Sequence, residues 1–279
     1  MRKVKITCDS TCDLNQVLYA DTHVVPLGVT LGDDFRRDGV DITADELLQY
    51  VSDTGELPKT SAISIGEYEG VFRSYVEQGY DVVHINISAE LSSSHQNARL
   101  AGQEVGSTWV VDSRSLSSGS GLLVMLAKEL ADQGIEAAEI ARILEEKAEK
   151  LDVSFVLQTL EFLHKGGRCS GVAAFGANLM KLRPEIQVVD GKMQVGKKYR
   201  GDMEKSILAY VRGRLEGRED VDCRRIFITH SGVPEEMVDK VKETVLQLHP
   251  FEQIHVTRAG CTISSHCGPG CLGVLFFRK

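Results

Sequence analysis

The sequence predicts an α/β protein of two domains. Residues 1–150 read as a three-layer α/β/α domain with a parallel sheet, and residues 151–279 as a two-layer α/β domain with a mixed sheet. Three observations carry this reading. Apolar strand patterns alternate with helical ones through the first half, as in successive βα units. A chain of 279 residues is long for one core. In the second half Asp190-Gly191 stands between two strand patterns, a type I′ hairpin signal that makes the sheet mixed.

Taken in order, Val4 to Cys8 reads as a strand, and Val24 to Leu31 as a second extended run. Thr43-Ala44-Asp45-Glu46 is a capping box ahead of Leu47, Leu48 and Val51 on one helical face, and Gly55 fits the stop. Ser64-Ile65-Gly66-Glu67 is a second box, opening a helix with Tyr68, Val71, Phe72 and Tyr75 at helical spacing. Strands follow at Asp81 to Ile87 and Thr108 to Val111, with a helix after Ser88 to Asn97 between them, then helices at about Gly119 to Asp132 and Ala137 to Lys150. Beyond these come a strand at Ser154 to Gln158, a break at Gly166-Gly167-Arg168 and a helix near Val172 to Leu182. The hairpin spans Ile186 to Val195. Helices near Asp202 to Leu215 and Glu235 to Leu248 alternate with strands near Arg225 to Thr229, Gln253 to Thr257 and Gly273 to Phe277.

The composition narrows the function classes. A net charge of -8 without a long basic stripe disfavours nucleic acid and anionic membrane as partners. The only basic cluster singled out, Lys197, Lys198 and Arg200, reads first as a solvated face. The longest dense apolar run, Leu122 to Ala127, is far too short to span a bilayer, and no apolar region follows the basic start. The expectation is a cytoplasmic protein without stable membrane insertion. Seven cysteines, an odd number without paired CxxC spacing, suit reduced buried thiols better than disulfides or zinc, so no metal is expected.

No nucleophile elbow, P-loop or HExxH motif is present. Gly268-Pro269-Gly270-Cys271-Leu272-Gly273 has dinucleotide-like spacing, but too little chain follows to supply the required helix. A turn into a last strand is the better reading. Ser117-Ser118-Gly119-Ser120-Gly121 lacks the P-loop lysine and reads as a helix start that passes close to a strand or ligand. Hydroxyls gather instead at two helix starts, Thr60-Ser61-Ala62-Ile63-Ser64 and Ser92-Ser93-Ser94. One hydroxyl suffices for a cap, and Ser64 reads as no more than that. The others, with backbone N–H groups at a helix N-terminus, can hold a carboxylate. His266, among Ser264-Ser265-His266-Cys267-Gly268-Pro269, reads as part of a tight ligand-facing loop, with His230 as the nearest competitor.

Together these segments resemble the DegV family. Cys8-Asp9-Ser10-Thr11-Cys12-Asp13-Leu14 is similar to its opening, Thr60-Ser61-Ala62-Ile63-Ser64 to its Thr-Ser-x-x-Ser segment, and Leu91 to Ala98 to its Leu-Ser-Gly-Thr run. Leu160 to Arg168 resembles its Gly-Gly-Arg signature, and His266 to Gly273 its His-x-Gly-Pro-Gly-x-Leu-Gly ending. The match runs end to end and in order. Ser93 stands where the family usually has glycine, and Ser94-His95 where it has Thr-Tyr.

The resemblance implies a long-chain fatty acid at the domain interface, its carboxylate held by Thr60, Ser92 and His266, with Ser61, Ser93 and Gly268 beside them. It also implies a fatty acid kinase subunit as partner, reached through Arg200. On this reading the chain is a lipid carrier, not an enzyme, and uses no cofactor. The rival is a dihydroxyacetone-kinase-like enzyme subunit that binds a small carbonyl compound through His266. A histidine nucleophile would need an orienting carboxylate, and none is near in sequence.

Overall fold

The structure, a computed structural model, describes residues 2–169 and 182–279. The helix expected near Val172 to Leu182 lies outside the described residues, except that Leu182 itself opens a strand.

Four strands form a parallel sheet: β1 (Lys3–Asp9), β2 (His23–Val25), β6 (Tyr80–Asn86) and β7 (Thr108–Asp112), in the order β2-β1-β6-β7. Side chains along β6 alternate between its faces. Val82 packs with α2 (Ile65–Val76) and α3 (Ser94–Val105), while Val83 and Ile85 pack with α4 (Ser118–Asp132) and α5 (Ala137–Ala148). The first half is therefore three-layered, as expected.

The second half begins with β8 (Leu151–Val156). It continues with β9 (Leu182–Val189), β10 (Lys192–Arg200), β11 (Val221–Ser231), β12 (Gln253–Arg258) and β13 (Cys271–Arg278). These make a mixed sheet, order β10-β9-β8-β13-β11-β12, antiparallel except for the β11–β12 pair. The β9–β10 hairpin turns at Asp190 and Gly191, both with positive φ (50° and 78°), the backbone a type I′ turn requires. α7 (Met203–Leu215) and α8 (Glu235–Leu248) cover one face. The other face closes on α4: Val153, Phe227 and Leu275 share a core with Leu122, Leu123 and Ile85.

The glycines Gly119 and Gly121 let α4 sit between the sheets. A Cβ on Gly119 would lie 2.7 Å from Val153, and one on Gly121 2.7 Å from the Cys12 carbonyl. The serine–glycine run is thus a close-packing device.

Two expectations require correction. The run Val24 to Leu31 is not one strand. Pro26 interrupts it, because proline has no N–H for the ladder. β2 ends at Val25, and Gly28–Leu31 becomes β3 in a third, antiparallel sheet of order β4-β3-β5. Its partners are β4 (Asp34–Arg37) and β5 (Lys59–Ser61). His266 lies not in a loop but in α9 (Cys261–Cys267). α9 packs on that small sheet and on α1 (Ala44–Thr54), and also against α6 (Glu161–Gly166). The end of the chain thereby meets residues from its first quarter.

Both expected capping boxes are present, Thr43 with Glu46 on α1 and Ser64 with Glu67 on α2. No helix among the described residues is long and apolar enough to cross a membrane.

Candidate functional site

Thr60, Ser61, Ser92, Ser93 and His266 line one cavity of about 110 Å³. Three elements supply them: β5, the turn before α3, and the last turn of α9. In its wall Thr60 Oγ1 lies 2.9 Å from His266 Nε2, a hydrogen bond between residues 206 apart in sequence.

Burial, and then the charge of Arg168, push the His266 imidazole down to about 4 from its usual 6.5. The ring is therefore neutral at pH 7 and carries one N–H. With that proton on Nε2, His266 donates to Thr60 Oγ1 and leaves the threonine proton free for an acceptor in the cavity. Nδ1 is buried without a hydrogen-bond partner among the described residues. It sits against Gly166 of α6, where any Cβ would fall on the ring. No carboxylate among the described residues bonds His266, so the orienting group of a histidine nucleophile is not found there.

Ser92 is arranged in a similar way. Its Oγ accepts from the Ser94 backbone N–H at 3.2 Å and exchanges a bond with Ser94 Oγ at 3.0 Å. With Ser94 as donor, the Ser92 proton is available to a ligand. Ser93 makes no side-chain cap at the start of α3 and lines the cavity.

Two expected site residues stand differently. Strand alternation turns Thr60 toward His266 and its neighbour Ser61 the other way, so the Ser61 hydroxyl lies over the Cα of Gly28. Ser61 borders the cavity without aiming its hydroxyl as Thr60 does. Gly268 is not part of the cavity wall. It ends α9 at φ 70°, under the Phe162 ring, and its carbonyl accepts from Ser231. It shapes the turn that holds α9.

Arg168 belongs to the wall and was not among the residues expected to contact a ligand. Its guanidinium donates to the Gly166 carbonyl at 2.7 Å, and the residue is exposed at the cavity mouth. The signal was present in the Gly-Gly-Arg run. The wall also has an apolar part, with Leu27, Ile87, Leu91, Met193 and Ile263. Leu116, Ile263 and Cys267 are shared with a further small void of about 20 Å³ against Phe155, Ala259 and Leu275. His230 borders that void, but its Nδ1 accepts from the Val233 N–H at 3.2 Å, a local turn role. A lining that combines hydroxyl and imidazole groups with apolar side chains suits an amphiphile with an anionic or polar end.

Arg200 lies apart from this cavity, exposed at the end of edge strand β10. Lysines and arginines on an edge strand also guard it against pairing with other chains.

A family model described as "Uncharacterised protein, DegV family" matches residues 3–279. The chain belongs to the DegV family. A DegV domain-containing protein of Staphylococcus aureus is 30% identical over the whole of both chains. The structure titled for fatty acid binding of a DegV family protein from Thermus thermophilus is 34% identical, covers 100% of both chains and superposes with a TM-score of 0.89. The fatty acid kinase B3 protein of Streptococcus pneumoniae, loaded with linoleic acid, superposes at 0.87 over 99% of this chain and 100% of its own. At 23% identity that likeness is one of fold. The DegV ending thus corresponds here to α9, its turn and β13.

Proposed function

We propose that this DegV protein binds a long-chain fatty acid between residues 1–150 and 151–279 and presents its carboxylate to a separate kinase subunit. The observation that carries the reading is the Thr60–His266 pair, which lines with Ser92 a cavity whose other wall residues include apolar Leu27, Ile87, Leu91, Met193 and Ile263. The fatty acid binding named for the Thermus relative supports it. The neutral Thr60 and Ser92 hydroxyls can donate charge-assisted hydrogen bonds to a carboxylate, with His266 holding the Thr60 hydroxyl in place. The tail adds about 0.8 kcal/mol per buried methylene before ordering costs. A void of about 150 Å³ accepts benzene, so a cavity of about 110 Å³ takes a long tail only as side chains such as Met193 and Ile263 give way.

Native mass spectrometry of protein purified from bacteria, before and after gentle solvent extraction, tests the first step. A near-stoichiometric acyl species is expected; well-folded preparations repeatedly free of one would sink it. For the second step, Arg200 is the proposed contact with the kinase. Arg200→Ala is expected to slow turnover with a fatty acid kinase subunit and to flatten its salt dependence, with lipid affinity unchanged. Turnover equal to wild type at low and high salt would remove Arg200 from the interface. The rival reading, a small carbonyl bound through His266, predicts a covalent adduct with dihydroxyacetone in the same mass spectra.

A further inference from the structure

We infer that Asp38 is a positioning residue for the head-group site: it ties the helix that carries His266 to the sheet that carries Thr60. The inference rests on the fatty-acid reading for its consequence in binding, and on geometry alone for the tether.

α9 has seven residues, too few to be stable by itself. Its N-cap is Gly260, which has no side chain to cap with, so the first N–H groups need outside acceptors. Both acceptors come from the other end of the chain. Asp38 Oδ1 accepts from the Cys261 N–H at 2.8 Å, and Oδ2 from the Thr262 N–H at 3.0 Å. Asp13 Oδ1 accepts from the Gly260 N–H at 2.8 Å. The carboxylates approach Gly260 so closely that a Cβ there would lie 3.1 Å from Asp13 and 3.3 Å from Asp38. Both aspartates are buried.

Asp38 also holds the small sheet. Its N–H donates to the Leu27 carbonyl at 2.9 Å, next to β3. Ser10 completes the junction by donating to Asp38 Oδ2 at 3.1 Å and accepting from the Leu27 N–H at 3.1 Å. β3 pairs Val29 with Thr60. One carboxylate therefore fixes the start of α9 relative to the strand pair that aims Thr60. His266 stands at the far end of the same helix, about 8 Å along its axis. A small tilt about the N-terminus becomes a displacement of Nε2 from Thr60.

The test uses Asp38→Asn, which keeps shape and one acceptor but turns an amide N–H toward a backbone N–H. Affinities for palmitate and for hexadecanol are measured by calorimetry. The His266 imidazole resonances are followed by NMR in ligand-free protein. The tether predicts shifted His266 resonances, palmitate weakened about tenfold through one misplaced charge-assisted bond, and hexadecanol bound within about twofold of wild type. Unmoved resonances would overturn the tether. Equal loss for both ligands would overturn the positioning role, since Asp38 would then only stabilise the pocket. Wild-type protein that binds neither ligand would instead defeat the fatty-acid reading, and the NMR result would still judge the tether. Should Asp38→Asn fail to fold, Ser10→Ala removes one bond to the same carboxylate, and smaller changes of the same sign are expected. Their absence would count against the proposal.

Discussion

At the scale of single residues, the site is built from uncharged donors at a buried point. With His266 donating to Thr60 and Ser94 donating to Ser92, the Thr60 and Ser92 hydroxyls each keep one proton for a ligand, and His266 orients Thr60. A hydrogen bond to a charged acceptor is worth about 1.5–3 kcal/mol, while a long tail contributes more in total. His266→Ala or Ser92→Ala should therefore weaken a fatty acid by roughly ten- to a hundred-fold without abolishing binding. A tail-matched alcohol, which has no full negative charge, should bind almost as before. Calorimetry on the same variants decides: equal losses for acid and alcohol would mean that these residues only shape the pocket. The clusters that hold Thr60 and Ser92 were legible because hydroxyls in excess of capping needs stand out in sequence, and the resemblance to the DegV family picked out these two within them. The direction of each hydroxyl was not legible, and Ser61 shows why. Its side chain faces away because its neighbour Thr60 faces inward on a strand.

At the scale of elements, α9 is held at both ends. Its start rests on Asp13 and Asp38, and its last turn presses against the end of α6. The fit at Gly166 has no spare room, because a Cβ there would fall on the His266 ring. Gly166→Ala should force the imidazole off Thr60 and cost about 1–3 kcal/mol of stability through overpacking. The expected signature is a lowered melting temperature together with a loss of affinity for palmitate that exceeds the loss for hexadecanol. A variant that melts and discriminates like wild type would show that the two helices have slack. The expectation of a loop at His266 came from the glycines and proline that follow it. Those residues in fact form the turn after a short helix, and so short a helix gave little periodicity to read.

At the scale of the whole molecule, the two sheets share a core through α4, so a boundary near Lys150 in sequence does not divide the hydrophobic contacts. Acid response belongs to this scale. His84 is fully buried in the parallel sheet, bonded to Thr7 at 2.8 Å and Asn86 at 3.0 Å, and edge-on to Tyr68 and Phe72. Burial above all lowers its pKa from 6.5 to about 3. The unfolded chain therefore binds a proton there that the folded protein does not, between about pH 6.5 and 3. Its contribution to stability is present above pH 6.5 and falls with pH by on the order of 1.4 kcal/mol per unit through that window. The buried Asp9 and Asp13, both raised by desolvation, act in the opposite sense, so the slope for His84 must be isolated. Urea midpoints at pH 7 and pH 5 should fall less for His84→Gln than for wild type. Parallel losses would show that His84 is not kept neutral by the fold.

The sequence by itself determined what local pattern can encode. It gave the alternation that makes one sheet parallel, the Asp190-Gly191 turn that makes the other mixed, and the capping boxes of α1 and α2. These follow from steric and hydrogen-bonding preferences that act within a few residues. Local pattern also marked the two hydroxyl clusters and His266, while the selection of Thr60 and Ser92 within those clusters came from the resemblance to the DegV family. Only the tertiary structure decided that Thr60 meets His266 across 206 positions, that Arg168 joins them, and that Gly268 serves the turn and not the wall. The physical reason is that such meetings depend on how α9, α6 and the small sheet pack together. That packing is the sum of many long-range contacts, of which the Asp38 tether is one, and no window of neighbouring residues contains it.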